Sequence, residues 1–197
     1  MYVVWNYISI MNVFDFDGTI YDGDSSINFW LFCLKNDIKL IRFFPLQVSG
    51  LFLYIFKFVD KKEFKKLFFK FLQGIKDIDA CILSFWIENE NKIKGWYKEM
   101  QASDDCIISA SPDFLLRPIC KKIGINNLIA TNMDQKTGNI LGENCYGTVK
   151  PILFKEKFGK IEIENFYSDS KSDLPMALLA GNAYFVKKNQ IQKWDEE

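Results

Sequence analysis

Asn12-Val13-Phe14-Asp15-Phe16-Asp17-Gly18-Thr19 is the stretch from which the rest of the chain is read. An apolar run carries two carboxylates at spacing i, i+2, then a glycine, then a hydroxyl. Side chains two apart on a strand point to one side, so Asp15 and Asp17 can address a single ligand from the strand's carboxyl end. Gly18 permits a turn that a β-carbon would resist, and lets backbone N–H groups come close to an anion. Taken alone, the segment also reads as an acidic strand end followed by an ordinary Asp-Gly turn. A motif this short needs its context.

At 197 residues the chain has the length of one domain with a modest insertion, enough to hide roughly 70% of its unfolded surface. Hydrophobic residues make up 49% and aromatics 16%, which places it far from disorder. The 25 basic and 25 acidic residues balance, so the excess of base expected of a nucleic-acid binder is missing. There is no histidine, which removes Ser-His-Asp and Cys-His triads, histidine-ligated zinc and histidine general bases together. Cys33, Cys81, Cys106, Cys120 and Cys145 are scattered with no C-x-x-C pair, and read as buried thiols of a reducing cytosol. Chemistry is left to carboxylates, lysine, hydroxyls and a hard metal. Met1 to Ile10 is apolar and aromatic but lacks the basic start and cleavage site of a signal peptide. It reads either as an extension or extra strand, or as residues ahead of a start at Met11.

From Asp22 the pattern is helical for about 75 residues, with no strand-like alternation. Asp24-Ser25-Ser26 can cap a helix with Ile27, Trp30, Leu31 and Leu34 on its apolar face. Leu40 to Val59 is nearly all apolar but interrupted by Arg42, Pro45, Gln47 and Lys57. Its apolar window is shorter than the ~20 residues of a spanning helix, so a broken or kinked helix pair is expected, with Pro45 and Gly50 at the breaks. Asp60 to Gly74 is the cleanest amphipathic helix: Phe64, Leu67, Phe68, Phe71 and Leu72 on one face, Lys61, Lys62, Lys65, Lys66 and Lys70 on the other. It reads as a surface helix with solvated lysines or, more sharply, as a basic helix resting on an anionic membrane. A last helix spans about 79–100.

After Ser103 strands and helices alternate: strand 105–109, helix from Ser111-Pro112 to Lys122 with Pro118 inside, and strand 127–132. A hairpin tip at 134–138 follows, then a helix from Lys150-Pro151 to Gly159 and strand 164–168. A helix from Asp173 to Gly181 and a last strand 183–187 complete the chain. Such alternation implies a largely parallel sheet with ligands at the strands' carboxyl ends. Polar groups fall at those ends: Asp15 and Asp17, then Ser109, then Asp169 and Asp173, with Lys150 at a loop-to-helix junction. Singly, Ser109 could be a cap, Lys150 a surface lysine, and Asp169 or Asp173 a helix-start carboxylate.

Together, Asp15-Phe16-Asp17-Gly18-Thr19, Ile108-Ser109-Ala110-Ser111-Pro112, Asn144-Cys145-Tyr146-Gly147-Thr148-Val149-Lys150 and Tyr167-Ser168-Asp169-Ser170-Lys171-Ser172-Asp173 resemble the four motifs of the haloacid dehalogenase superfamily of phosphohydrolases. The helical insertion between the first two resembles the phosphoserine-phosphatase-like branch. The third and fourth look closest to bacterial phosphatases that include a phosphatidylglycerophosphate phosphatase group. The resemblance implies an α/β fold: a Rossmann-like core with a mostly parallel sheet, residues 1–23 and 89–197, plus an all-helical cap, residues 24–88, that closes over the site. It implies Asp15 as nucleophile and Asp17 as general acid, then base. Ser109, Ala110, Gly18 and Thr19 would hold phosphoryl oxygens, and Lys150 would steady Asp15. The implied Mg2+ ligands are the Asp15 carboxylate, the Asp17 carbonyl, Asp169, and Asp173 directly or through water. Charge points the same way, since four carboxylates against one lysine leave a surplus that a hard dication relieves.

Tyr167 and Ser168 stand where many relatives carry a glycine before the aspartate, which leaves Asp169 in place. Arg42 and Arg117 are the only arginines, and nothing in the insertion resembles a serine-recognition set, which argues against phosphoserine. The expected activity is Mg2+-dependent hydrolysis of a phosphorylated small molecule or lipid head group. The greasy, lysine-edged cap favours an amphiphilic ester and a cytoplasmic protein with peripheral membrane contact through the cap. A soluble-metabolite phosphatase, and a phosphotransferase or low-turnover binding protein, stay open. Oligomeric state is not legible.

Overall fold

β1 (Ile10–Phe14) sits at the middle of a six-stranded sheet with β2 (Cys106–Pro112) on one side and β4 (Glu162–Ser168) on the other. The computed structural model describes residues 10–194, so the extension or extra strand considered for residues 1–10 lies, Ile10 apart, outside the described residues. β3 (Asn127–Thr131) completes one edge, and β5 (Ala180–Lys187) and β6 (Gln190–Lys193) the other, in the order β3-β2-β1-β4-β5-β6. All pairs are parallel except β5–β6. The parallel strands therefore deliver their carboxyl ends to one rim of the sheet, where ligand sites of open α/β sheets form.

Alternation along the strands sorts side chains onto two buried faces. Phe14 and Ile107 join one cluster with Leu115, Leu116 and Ile119 of α6 (Asp113–Lys122) and Tyr97 of α5 (Gly95–Met100). Val13, Ile108 and Phe166 join another with Phe154 of α7 (Val149–Phe158) and Met176 of α8 (Leu174–Ala177). In-register aromatics reinforce the pairing: Phe14 stacks on Tyr167 at 4.7 Å and Tyr167 on Tyr184 at 4.8 Å.

Between β1 and β2 the chain forms the helical cap. It comprises α1 (Ser25–Asn36), a 3-10 turn at Ile38–Phe43, α2 (Phe44–Ile55), α3 (Lys61–Phe68), a 3-10 turn at Phe69–Gly74 and α4 (Ile78–Asn89). Aspartates start four of these segments: the side chains of Asp24, Asp37, Asp60 and Asp77 accept from Ile27, Lys39, Glu63 and Ala80 N–H. The break expected at Pro45 is present, because the chain changes from 3-10 to α there; Gly50 does not interrupt α2.

Several expectations are corrected. α1 buries Phe29, Phe32 and Cys33, while Ile27 and Leu31 are 48% and 50% exposed. The segment 79–100 is not one helix. It breaks after α4 so that Ile93 can bridge to Tyr21 and Lys94 N–H can reach Ile20 O at 2.8 Å, which stitches the cap's end to the loop after β1. The 134–138 hairpin is a turn closed by a single bridge, Met133 to Ile140. α8 is one turn long, Gly181 lies within β5, and β6 follows as an antiparallel strand that the sequence did not announce.

The cap's base is aromatic. Phe29 meets Phe85 edge-on at 5.3 Å, Phe85 meets Trp86 at 4.7 Å, and Trp86 meets Phe16 and Tyr21 of the core. Phe29→Ala is therefore expected to cost about 3–5 kcal/mol, read as a lower urea midpoint by circular dichroism. Ile27→Ala on the opposite side of the same helix should stay within about 0.5 kcal/mol.

Candidate active site

Past Phe14 the pairing with β4 continues through Asp15 N–H to Tyr167 O at 2.9 Å, and the chain then turns: Ile20 and Tyr21 N–H both reach Phe16 O. Gly18 makes this possible twice over. Its φ is +73°, and a Cβ there would lie 2.0 Å from Asp169 Oδ2, so only glycine lets this loop come against β4's end. Thr19 Oγ1 lies 3.3 Å from Asp15 Oδ2 and 3.5 Å from Asp169 Oδ1, and accepts from Asp169 N–H at 2.9 Å. The ends of β1 and β4 are thus fastened to one hydroxyl.

Lys150, at the start of α7, is 2% exposed. Its Nζ donates to Asp15 Oδ1 at 2.7 Å and to Asp173 Oδ2 at 2.6 Å. Ser168 Oγ donates to the same Asp173 oxygen at 2.8 Å. Burial works against the ammonium, but the two carboxylates outweigh it and hold Lys150 above its ordinary range. Burial pushes the Asp15 carboxyl up to about 7 against the pull of Lys150, with Asp173 and Asp17 adding like charge. Asp17 turns the other way, towards the cap. Its Oδ1 accepts from Ser25 N–H at 2.6 Å, at the start of α1, and its Oδ2 from Ser111 Oγ at 2.5 Å. Burial and Asp24 push it up to about 6, against those hydrogen bonds. Ser109 is buried, and its Oγ accepts from Ser111 N–H at 3.0 Å.

The residues expected from the sequence meet at one place. Asp15, Asp17, Gly18, Ser109, Ala110, Lys150, Asp169 and Asp173 all line a single cavity of about 560 Å3, and Thr19 sits just behind it. The far wall comes from the cap, with Ile27, Lys61, Phe64, Lys65, Phe68 and Phe69. The lysine face of α3 accordingly does not point to solvent as expected. Lys65 Nζ donates to Ala110 O at 2.5 Å and Asn144 Oδ1 at 2.7 Å, Lys61 lies 3.3 Å above the Tyr146 ring, and Lys62 pairs with Glu143 at 3.5 Å. Burial, then Lys61, bring Lys65 down to about 8. Ser25, Ser111, Lys65 and Tyr146 were not singled out from the sequence. Ser111 and Tyr146 lie inside the quoted motifs, whereas Ser25 and Lys65 are brought in only by the packing of the cap.

The donors fit a hard cation. They are all oxygen, negative charge is in surplus, and Asp15 and Asp169 approach the same hydroxyl. Among the described residues no three acidic, cysteine or histidine side chains close into a cage. Mg2+ takes one or two carboxylates and completes its shell with water, and the two carboxylates beside the Thr19 hydroxyl can supply that number. Asp17, whose carboxylate faces Ser25 and Ser111, can offer its backbone carbonyl. Asp173 lines the same cavity, and its Oδ2 accepts from Lys150 and Ser168, which makes it the lysine's second anchor.

A family model described as haloacid dehalogenase-like hydrolase matches residues 13–178. Histidinol-phosphatase from Neisseria meningitidis serogroup C is 29% identical over 115 residues, covering 50% of this chain and 50% of that protein; the chain spans about half the length of this curated relative. A protein of unknown function from Bordetella pertussis Tohama I superposes with a TM-score of 0.73 at 19% identity, covering 89% of this chain and 88% of the other. A phosphoserine phosphohydrolase-like protein from Francisella tularensis subsp. tularensis SCHU S4 gives 0.53 at 15% identity, covering 89% and 85%. At these identities the structural likeness speaks for the fold.

Removing one member of a buried ion pair strands the other. Lys150→Met is expected to cost about 3–5 kcal/mol in urea unfolding, whereas Lys62→Met, which breaks the exposed pair with Glu143, should cost about 1 kcal/mol or less.

Proposed function

The chain belongs to the haloacid dehalogenase-like hydrolase family, and from that premise we propose that it is a Mg2+-dependent phosphomonoester hydrolase working through an aspartyl-phosphate on Asp15. The observation that carries this reading is the division of labour between the two carboxylates that open on one cavity. Asp15 is paired with an ammonium, and Asp17 is held by a hydroxyl and an amide under the cap. The ammonium of Lys150 beside Asp15 offsets the burial that pushes this carboxyl up and favours its ionised form, which suits a nucleophile. Asp17, bonded to a hydroxyl and an amide at the cap side of the cavity and raised to about 6, suits proton transfer near physiological pH.

In the first step an Asp15 oxygen bonds to phosphorus while the ester P–O bond breaks, and the departing oxygen takes the Asp17 proton. In the second, Asp17 accepts a proton from water, the water oxygen attacks phosphorus, and the bond to Asp15 breaks to release phosphate. Ser109 Oγ and backbone N–H groups around Gly18 and Ala110 line the cavity to receive phosphoryl oxygens, and Lys150 offsets their charge. Mg2+ held by Asp15, Asp169, the Asp17 carbonyl and, directly or through water, Asp173 would supply Lewis-acid charge stabilisation. The cap over the cavity keeps bulk water from the acyl phosphate.

For the substrate, the cap wall combines Lys61 and Lys65 with Phe64, Phe68 and Phe69. That mixture suits an amphiphilic phosphate, in keeping with the resemblance of the third and fourth motifs to a phosphatidylglycerophosphate phosphatase group. A soluble metabolite ester is the second reading, favoured by the curated relative named histidinol-phosphatase. Phosphate release from water-soluble esters and from short-chain lipid phosphates, each with and without Mg2+, separates them. Faster turnover of the lipid phosphates supports the first reading, and faster turnover of a soluble ester replaces it with the second.

Asp15→Asn is expected to abolish hydrolysis of a generic aryl phosphate. Asp17→Asn should slow it by about a hundred- to ten-thousand-fold and allow phosphoenzyme to accumulate, detectable by intact mass; full activity in Asp15→Asn refutes the nucleophile. Lys65, lowered to about 8, sheds its proton as pH climbs past that value. KM for the aryl phosphate should then rise roughly fivefold, the worth of about one close charge pair in water, and Lys65→Arg should flatten this rise.

A further inference from the structure

α2 is built inside out. Its side towards α3 buries Gln47 and Gly50; Gln47 Nε2 donates to Phe68 O at 3.0 Å, and a Cβ at Gly50 would meet Leu67 at 3.0 Å. Its outer side carries Phe44, Val48, Leu51, Phe52 and Ile55, each between 44% and 62% exposed. A helix packed in water shows the reverse arrangement. The strip extends beyond the helix at both ends, to Ile38 at 71% and Phe58 at 72% exposed. An apolar surface this continuous marks a contact with something other than water.

Charge says what that something is. From residue 38 to residue 59 the charged side chains are Lys39, Arg42 and Lys57, all basic and all exposed, two near one end of the strip and one near the other. The exposed carboxylates of Asp37 and Asp60 stand just outside it and are turned to the N–H groups of Lys39 and Glu63 as helix caps. An apolar face whose own charges are all basic matches the interface of an anionic bilayer, where acyl chains take the apolar groups and head groups meet the cations. The strip is also continuous with the site. Phe44 stacks on Trp30 at 6.2 Å, Trp30 lies 6.0 Å from Phe68, and Tyr54 stacks on Phe64 at 5.4 Å. Phe64 and Phe68 wall the cavity.

We propose that the Ile38–Phe58 layer of the cap docks on an anionic lipid bilayer, lying in the plane of the interface. The run Ile38–Ile55 has the length and composition to cross a membrane, contrary to the shorter apolar window expected from the sequence. Arg42 and a change from 3-10 to α helix interrupt it, however, and its inner side is packed on α3, so it lies along the surface. This docking goes beyond the proposed hydrolysis and does not depend on it.

The test is co-sedimentation of the full chain with phosphatidylcholine vesicles, with and without phosphatidylglycerol. The chain should pellet with the phosphatidylglycerol vesicles. The double variant Leu51→Gln/Ile55→Gln should lose at least about tenfold in vesicle affinity, the expected effect of withdrawing one or more buried aliphatic side chains from lipid. Its far-UV circular dichroism and aryl-phosphate turnover should match the parent. Lys39→Gln/Lys57→Gln should erase the preference for phosphatidylglycerol, and Asp15→Asn should pellet as the parent does, which keeps docking separate from chemistry. A parent chain that stays in the supernatant with both vesicles overturns the proposal, as does a Leu51→Gln/Ile55→Gln variant that pellets undiminished. Equal pelleting with both compositions overturns the anionic preference. A dimer in sedimentation equilibrium that this variant dissolves, with no vesicle binding, assigns the strip to a second copy of the chain instead.

Discussion

One ammonium, Lys150 Nζ, stands between Asp15 and Asp173 in a place that water scarcely reaches. Burying three charges is costly, and the cost is offset only when the geometry is good and the remaining lone pairs are satisfied. Ser168 supplies one of the missing hydrogen bonds to Asp173, and Thr19 lies beside the second oxygen of Asp15. The cluster therefore fixes where three separate parts of the chain stop: the end of β1, the end of β4 and the first turn of α7. Without the lysine, the carboxylates of Asp15 and Asp173 would face each other as buried like charges.

The positions of these groups were legible in the sequence, because they sit where strand periodicity ends and a polar residue begins. That Lys150 steadies Asp15 was what the resemblance of the four motifs implied, and its pairing with Asp173 came only with the fold. Asp15, Ser109, Lys150 and Asp169 each follow an apolar run or open a helix, and the topology of a parallel sheet brings such positions to one rim. The cap was less legible. In α1 the run Ile27-Asn28-Phe29-Trp30-Leu31-Phe32-Cys33-Leu34 is apolar nearly all round, so helical spacing offers no contrast by which to choose Phe29 and Phe32 over Ile27 and Leu31. In α3 the lysines follow the pattern of a solvated face, and only the fold shows that the core's own loops lie opposite them. β6 escaped notice because Gln190-Ile191-Gln192-Lys193 is polar but for Ile191 and exposed throughout, held by its pairing to β5. Ser25 and Ser111 become partners of Asp17 only once the cap has folded back, a relation between residues 86 apart that no local pattern encodes.

The two ends of the cap are held by different forces. Its base is a block of rings, Phe29, Phe85 and Trp86 against Phe16 and Tyr21, whose cohesion dissolved ions scarcely touch. Its rim is fastened by the ammonium groups of α3 and its continuation: Lys61 on Tyr146, Lys62 on Glu143, Lys65 on Ala110 and Asn144, and Lys70 on Asn139. Coulombic fastenings near the surface weaken as the Debye length shortens, from about 10 Å at 0.1 M to about 3 Å at 1 M. The cap thus joins the core through a greasy base and a polar rim, and of the rim's fastenings it is the exposed pair of Lys62 and Glu143 that dissolved salt weakens, while the rings and the buried contacts of Lys65 are left alone.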